Sequence, residues 1–231
     1  MIETIKSGDN TIVGFSQDYL FKCVKDGNSF PDSFLLETIN KYVNKDSVCV
    51  DIGANLGYVS LYLSRICKKV YSFEPQHVVF LQLCANVFLN ERFNVYPLEL
   101  AAYSESKLFN FAVYQNGWVK ASSFDDYNNI GSIGSISLEK KDDGNIKAVR
   151  PDEIIKEKVD FIKIDAQGGD IDAIFGCEKL LENRPVIVFE YEHDLSVNNY
   201  GRTLPEILPF AQKHNYGMRA ISGQNYILEP L

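Results

Sequence analysis

The run Val48-Cys49-Val50-Asp51-Ile52-Gly53-Ala54-Asn55-Leu56-Gly57 joins an apolar strand pattern to an acid and two glycines. It reads as a buried strand whose carboxyl end enters a tight turn, followed by a helix with Val59, Tyr62, Leu63 and Ile66 on one face. Turns of this kind lie where parallel sheets bind ligands. Glycine tolerates positive φ and lets a ligand approach the main chain, so Asp51, Gly53, Ala54, Asn55 and Gly57 form a candidate ligand loop.

The spacing selects among ligands. A dinucleotide fold would carry G-x-G-x-x-G and rest a pyrophosphate on the helix N-terminus. Here Asp51 is expected at the pocket mouth, where it would repel a diphosphate. S-adenosylmethionine, with a sulfonium and an ammonium but no phosphate, fits an acidic loop better. A second strand pattern, Val70-Tyr71-Ser72-Phe73, ends in Glu74-Pro75-Gln76 about twenty residues on, where such folds place the acid that binds ribose hydroxyls.

The elements that must position these residues alternate. Helical faces at Phe34, Leu35, Ile39 and Tyr42, beginning near Pro31, and at Phe80, Leu83, Cys84, Val87 and Phe88 are interleaved with strand patterns. Val95–Leu98 opens a third strand predicted to end near Ala101 and Ala102, and Val159–Asp165 and Pro185–Glu190 supply two more. Such alternation predicts an α/β fold with a mostly parallel sheet. Tyr19–Val24 suggests a strand or hairpin within an N-terminal extension, residues 1–44, that acts as a lid or platform on a main domain of residues 45–231. From Lys107 a period-two pattern predicts an inserted β hairpin or added strands, and Ser122–Gly144, rich in Ser, Asn, Asp and Gly, predicts a mobile loop. Leu204, Ile207, Leu208 and Ala211 predict a helix before a final hairpin from Gly217 to Leu228.

A chain of 231 residues suits a single domain with additions. Its formal charge of −8 argues against a nucleic-acid backbone as partner, which needs clustered Lys and Arg. Five cysteines without C-x-x-C spacing predict packed, reduced thiols. With no signal-like start and no apolar run of membrane-spanning length, a soluble cytoplasmic protein is expected, with no membrane partner.

Taken together, Asp51–Gly57, Phe73-Glu74-Pro75, the helix end at Asn86–Asn90, Phe161–Asp165 and Pro185–Glu190 resemble the FkbM family of S-adenosylmethionine-dependent methyltransferases. The resemblance implies a Rossmann-like class I fold: a seven-stranded sheet in the order 3-2-1-4-5-7-6 with its last strand antiparallel and helices on both faces. It also implies methyl transfer to oxygen, often on a sugar or polyketide hydroxyl. One block departs from the family pattern. Where the family reads Lys-Ile-Asp-x-Glu-Gly-x-Glu, this chain has Lys163-Ile-Asp165-Ala-Gln167-Gly-Gly-Asp170. One carboxylate becomes an amide and another is shortened, so no metal is expected, since a hard cation needs carboxylate charge.

The residues then take provisional roles. Gly53, Ala54, Asn55 and Gly57 hold the methionine part of the cofactor. Glu74, an acceptor-only carboxylate, takes the ribose hydroxyls, with Pro75 and Gln76 beside it and Ala101 leaving room for adenine. Asp165 positions the acceptor hydroxyl and His193 removes its proton. Trp118, Phe124 and Tyr127 offer stacking faces for a sugar. The expected activity is O-methylation of a sugar, glycan or glycosylated small molecule. The alternatives are a non-catalytic cofactor-binding module and an N-methyltransferase, the latter disfavoured because Asp165-Ala166-Gln167-Gly168 lacks the Pro-Pro pattern of amine methylation.

Overall fold

The computed structural model describes residues 1–27, 33–111, 138–140 and 144–231. Its centre is a sheet of β3 (Val48–Ile52), β4 (Lys69–Phe73), β5 (Val95–Leu98), β10 (Phe161–Ile164), β11 (Val186–Glu190), β12 (Tyr216–Ser222) and β13 (Asn225–Pro230). They lie in the order β5-β4-β3-β10-β11-β13-β12. Numbered among themselves along the chain, these seven strands stand 3-2-1-4-5-7-6. All pairings from β5 to β11 are parallel, whereas β13 runs antiparallel to both β11 and β12.

Every residue of β3 and β10 is buried, because helices cover both faces, and this accounts for their apolar character, broken only by Asp51 and Lys163. Alternation splits the side chains. Val48, Val50, Ile52, Ile162 and Ile164 pack on one face with Ile171 and Ile174 of α6 (Asp170–Gly176) and with Ile207 and Ala211 of α8 (Ile207–Lys213). Cys49 and Phe161 face the other side, toward α2 (Ser33–Tyr42), α3 (Tyr58–Ile66) and α4 (His77–Leu89). Leu35 and Ile39 of α2 belong to that second cluster, so this helix packs on the sheet itself.

Two expectations are corrected. Tyr19–Val24 is not a strand but lies in helix α1 (Tyr19–Lys25), because Asp18 caps it, accepting the Phe21 N–H at 3.0 Å, and Phe21 and Val24 turn inward at helical spacing. The hairpin precedes it, as β1 (Ile2–Ser7) and β2 (Asn10–Phe15). The third strand does not reach Ala101. It ends at Leu98, and Ala101–Ala102 form β6, which pairs with β9 (Ile146–Val149) in a separate four-stranded sheet. That sheet runs β6-β9-β7-β8, with β7 (Lys107–Phe111) antiparallel to β9 and to β8 (Leu138–Lys140). These are the added strands foreseen from Lys107. Pro31, Trp118, Phe124, Tyr127 and most of Ser122–Gly144 lie outside the described residues.

The N-terminal hairpin is tied to α4 by a pair of asparagines that imitate a neighbouring strand. The Asn86 Oδ1 accepts the Val13 N–H at 2.7 Å while its Nδ2 donates to the Val13 carbonyl at 3.1 Å. One helical turn on, Asn90 does the same for Thr11, with both bonds at 2.7 Å. Asn86 also donates to the Leu56 carbonyl at 2.8 Å, joining the hairpin to the glycine loop. Asn86→Ala leaves these backbone groups without partners, and a stability loss of roughly 1–3 kcal/mol is expected in urea unfolding. A loss below about 0.5 kcal/mol, within the range of an ordinary surface substitution, would show that other contacts hold the hairpin.

Candidate functional site

The loops following β3, β4, β10 and β11 converge at the carboxyl edge of the sheet, and a cleft with about 600 Å³ of empty space opens there. Gly53, Glu74, Pro75, Gln76, Ala101 and Asp165 line it. Gln167, Gly169, Tyr103, Leu138 and Tyr200, to which sequence reasoning gave no site role, line it as well. Among the described lining residues there are two carboxylates and no lysine or arginine.

The glycine loop is fixed by close backbone contact. Gly53 has φ +72°, and a Cβ there would lie 1.8 Å from the Asp165 carbonyl oxygen, so only glycine allows the loops after β3 and β10 to touch. Gly57 has φ +91° at the start of α3, and a Cβ there would press on Leu83. Asn55 stabilises the turn, its Oδ1 accepting the Leu56 N–H at 2.8 Å and its own N–H donating to Glu74 at 3.0 Å. Ala54 is buried, its N–H given to the Phe73 carbonyl. Asn55, Gly57 and Ala54 thus shape the loop without lining the cleft.

Asp51 is placed differently from the expectation. It is wholly buried, not at the mouth, because strand alternation turns it toward α3, where its Oδ2 accepts the Ser60 hydroxyl at 2.6 Å. Its other oxygen lies 3.3 Å from the Lys163 ammonium, directly across the β3–β10 register. The same ammonium donates to the Gly53 carbonyl at 3.1 Å and lies 3.6 Å from Asp165. Burial opposes the lysine charge, but Asp51 and Asp165 outweigh it and hold its pKa above the ordinary lysine value.

Glu74 is 7% exposed. One carboxyl oxygen accepts the Asn55 N–H and the other the Gln76 N–H, at 3.0 and 2.9 Å, which leaves a lone pair on each for an incoming hydroxyl. Burial pushes its pKa up to about 7, against the pull of those backbone bonds. Asp170 is also pushed up to about 7, by burial and then by Asp165. Its two oxygens accept the Ala166 and Gly168 N–H groups, so it secures the loop from below, facing away from any ligand. Gln167 donates to Asp165 at 2.9 Å; an acid there would set two charges against each other. Among the described residues no group of three or more His, Cys, Asp or Glu is placed to hold a metal ion.

The structure separates His193 from Asp165's cleft. His193 opens the short helix α7 (His193–Leu195), is exposed, and has its Nδ1 3.0 Å from the Tyr191 hydroxyl; it is absent from the lining. The neighbour that sequence reasoning overlooked is Glu190, the last residue of β11. Burial, followed by the charges of Asp165 and Asp170, pushes it up to about 8. The available signal was its position: an acid ending a core strand beside the one that ends in Asp165.

The profile of the methyltransferase FkbM domain matches residues 51–218, well over half of the chain. No curated protein matches the sequence. Among solved structures, SMU.1697c from Streptococcus mutans in complex with SAH is similar with a TM-score of 0.54 and 11% identity, over 88% of this chain and 99% of that one. An rRNA methylase from Streptococcus thermophilus aligns with a TM-score of 0.50 and 12% identity, over 88% and 99%. Methyltransferase FkbM from Methylobacillus flagellatus KT gives 0.48 and 16%, over 84% of this chain and 50% of that one. At such identities the first two likenesses establish the fold alone.

The raised carboxyl groups have a consequence for stability. An acid whose pKa is higher in the folded state stabilises the fold only while protonated, so its contribution disappears as pH rises from its unfolded value through its folded one. For Glu74 that window runs from 4.5 to about 7. Thermal melts should therefore show Glu74→Gln gaining on the wild type as pH rises from about 5 to about 8. A constant difference across that range would rule out the buried charge as its cause.

Proposed function

This chain belongs to the FkbM methyltransferase family, and from that premise we propose that it methylates a hydroxyl oxygen of a sugar, a glycan or a glycosylated small molecule. Its cofactor, S-adenosylmethionine, supplies a methyl group on a positively charged sulfonium. The observation that carries the reading is the lining of the cleft: carboxylates at Glu74 and Asp165, small apolar residues at Ala101 and Ala102, and no basic side chain among the described residues. That surface suits a cationic, uncharged-ribose ligand and disfavours a phosphorylated one.

Within this reading Glu74 accepts the ribose hydroxyls through its free lone pairs, and the Leu100–Ala102 wall admits a flat base. Gly53 and the turn that Asn55 supports bring main chain close to the rest of the cofactor. Asp165, with its side chain 38% exposed, is the charged group in reach of an acceptor. It orients the hydroxyl and takes its proton, a contribution of about 10²–10⁴ in rate for a well-placed base. Tyr103 and Tyr200, both largely buried, form part of the wall of the same cleft. Hydroxyl rather than amine acceptors are favoured by the loop Asp165-Ala166-Gln167-Gly168, which is held by Asp170 and carries no proline.

Mass spectrometry across a panel of sugar and glycoside acceptors should find the addition of single methyl groups to oxygen; products methylated solely on nitrogen would overturn the acceptor class. Glu74→Ala should weaken S-adenosylmethionine binding by roughly 1–3 kcal/mol in calorimetry, since the ribose hydroxyls lose their partner. Asp165→Asn should slow single-turnover transfer by about 10²–10⁴-fold at saturating cofactor, and undiminished transfer would remove Asp165 from the reacting end.

A further inference from the structure

Sheet register brings two carboxyl groups together at the cleft. β10 and β11 run parallel with Ile164 opposite Phe189, so the next residues, Asp165 and Glu190, leave the sheet side by side. Asp165 lines the cleft and Glu190 does not. Two carboxylates set side by side in a largely buried place cannot both ionise cheaply, which favours one proton shared between them.

The surroundings make removal of this proton costly. From β10, Lys163 is divided between Asp51 of β3, the Gly53 carbonyl and Asp165. Asp170 of α6 and Glu192, just beyond β11, add negative charge facing Glu190. Asn225, its partner across β13, is neutral, and Gln167 donates to Asp165 without charge. Burial is the leading cause that pushes Glu190 up to about 8, and Asp165 follows.

We propose that Asp165 and Glu190 hold one proton between them, releasing it beside a positively charged ligand and keeping it beside a neutral one. The pair thereby distinguishes the charged methyl donor from its spent, uncharged form. The inference rests on the methyltransferase reading and extends it to the proton. The acceptor's hydroxyl proton passes to Asp165 as its oxygen forms the new C–O bond and the S–C bond breaks, the electron pair remaining on sulfur. Glu190 then shares that proton. One positive charge is lost at sulfur and one proton is gained by the pair, so the net charge of the cleft is the same before and after. Glu190 is a positioning residue in this scheme, holding its carboxyl beside that of Asp165.

The test needs no acceptor. Affinities for S-adenosylmethionine and for S-adenosylhomocysteine are measured by calorimetry from about pH 6.5 to 9.5, a range bracketing the Glu190 titration. The two ligands share the ribose and the amino acid, so effects of Glu74 cancel in their ratio. The ratio should rise in favour of the charged ligand by up to about tenfold per pH unit, then level off above about 8. Glu190→Gln should flatten it, with folding checked by its thermal melt. A flat wild-type ratio with both ligands bound, or a slope that survives in Glu190→Gln, overturns the inference while leaving the enzyme's assignment intact. Absence of binding by either ligand overturns the cofactor cleft itself, and should Glu190→Gln not fold, the wild-type ratio decides alone.

Discussion

A buried ammonium holds the centre of the molecule together. Lys163 sits in the strand beside β3, directly opposite Asp51, and its Nζ reaches Asp51, the Gly53 carbonyl and Asp165 at once. An unpaired charge at that depth would cost several kcal/mol, so the lysine is tolerable only where these acceptors converge. The constraint runs in both directions. The loop after β3 must present a carbonyl to the lysine, and it can do so only by lying against the Asp165 backbone, which excludes a side chain at Gly53. The floor of the cleft is thus one electrostatic and steric unit made from two strands more than a hundred residues apart in sequence.

That distance explains what sequence reading could and could not see. Glu74 and Asp165 were legible because each directly follows a parallel strand, with Gln76 two residues beyond Glu74, and the carboxyl ends of parallel strands meet by topology. Asp51 was recognised but aimed the wrong way: alternation with Val50 and Ile52 turns it under α3, to Ser60. Lys163 stood in a quoted motif without a role, because its partner is set by strand order and register, which no local pattern records. Glu190 offered its place at a strand end, but its nearness to Asp165 rests on the same register. His193 was placed near Asp165 on the strength of following a core strand, whereas the chain turns at Glu192 and carries the imidazole outward.

The added elements divide in the same way. Period-two patterning announced strands from Lys107, yet nothing local showed that the third strand would end at Leu98 and hand Ala101–Ala102 to another sheet. A strand or hairpin was expected at Tyr19–Val24, where the cap at Asp18 and the spacing of Phe21 and Val24 instead make a helix, and the hairpin stands before it. Its anchorage depends on Asn86 and Asn90, whose side-chain amides complete an edge that would otherwise have no partner. Among the described residues no helix is long and apolar enough to cross a membrane.

The two-residue strand β6 has a wider consequence. Through Ala101 and Ala102 the smaller sheet supplies one wall of the cleft, and through Leu138 of β8 it contributes to the same cavity from its opposite edge. The central sheet carries the glycine loop, Glu74 and the lysine clamp. The smaller sheet is tied to it elsewhere as well, by Ser104 donating to Asp172 at 2.6 Å and by Arg150 donating to the Phe175 carbonyl at 3.2 Å. Both edges of the smaller sheet therefore meet one cavity whose floor belongs to the larger sheet, so a shift of either edge reshapes that cavity.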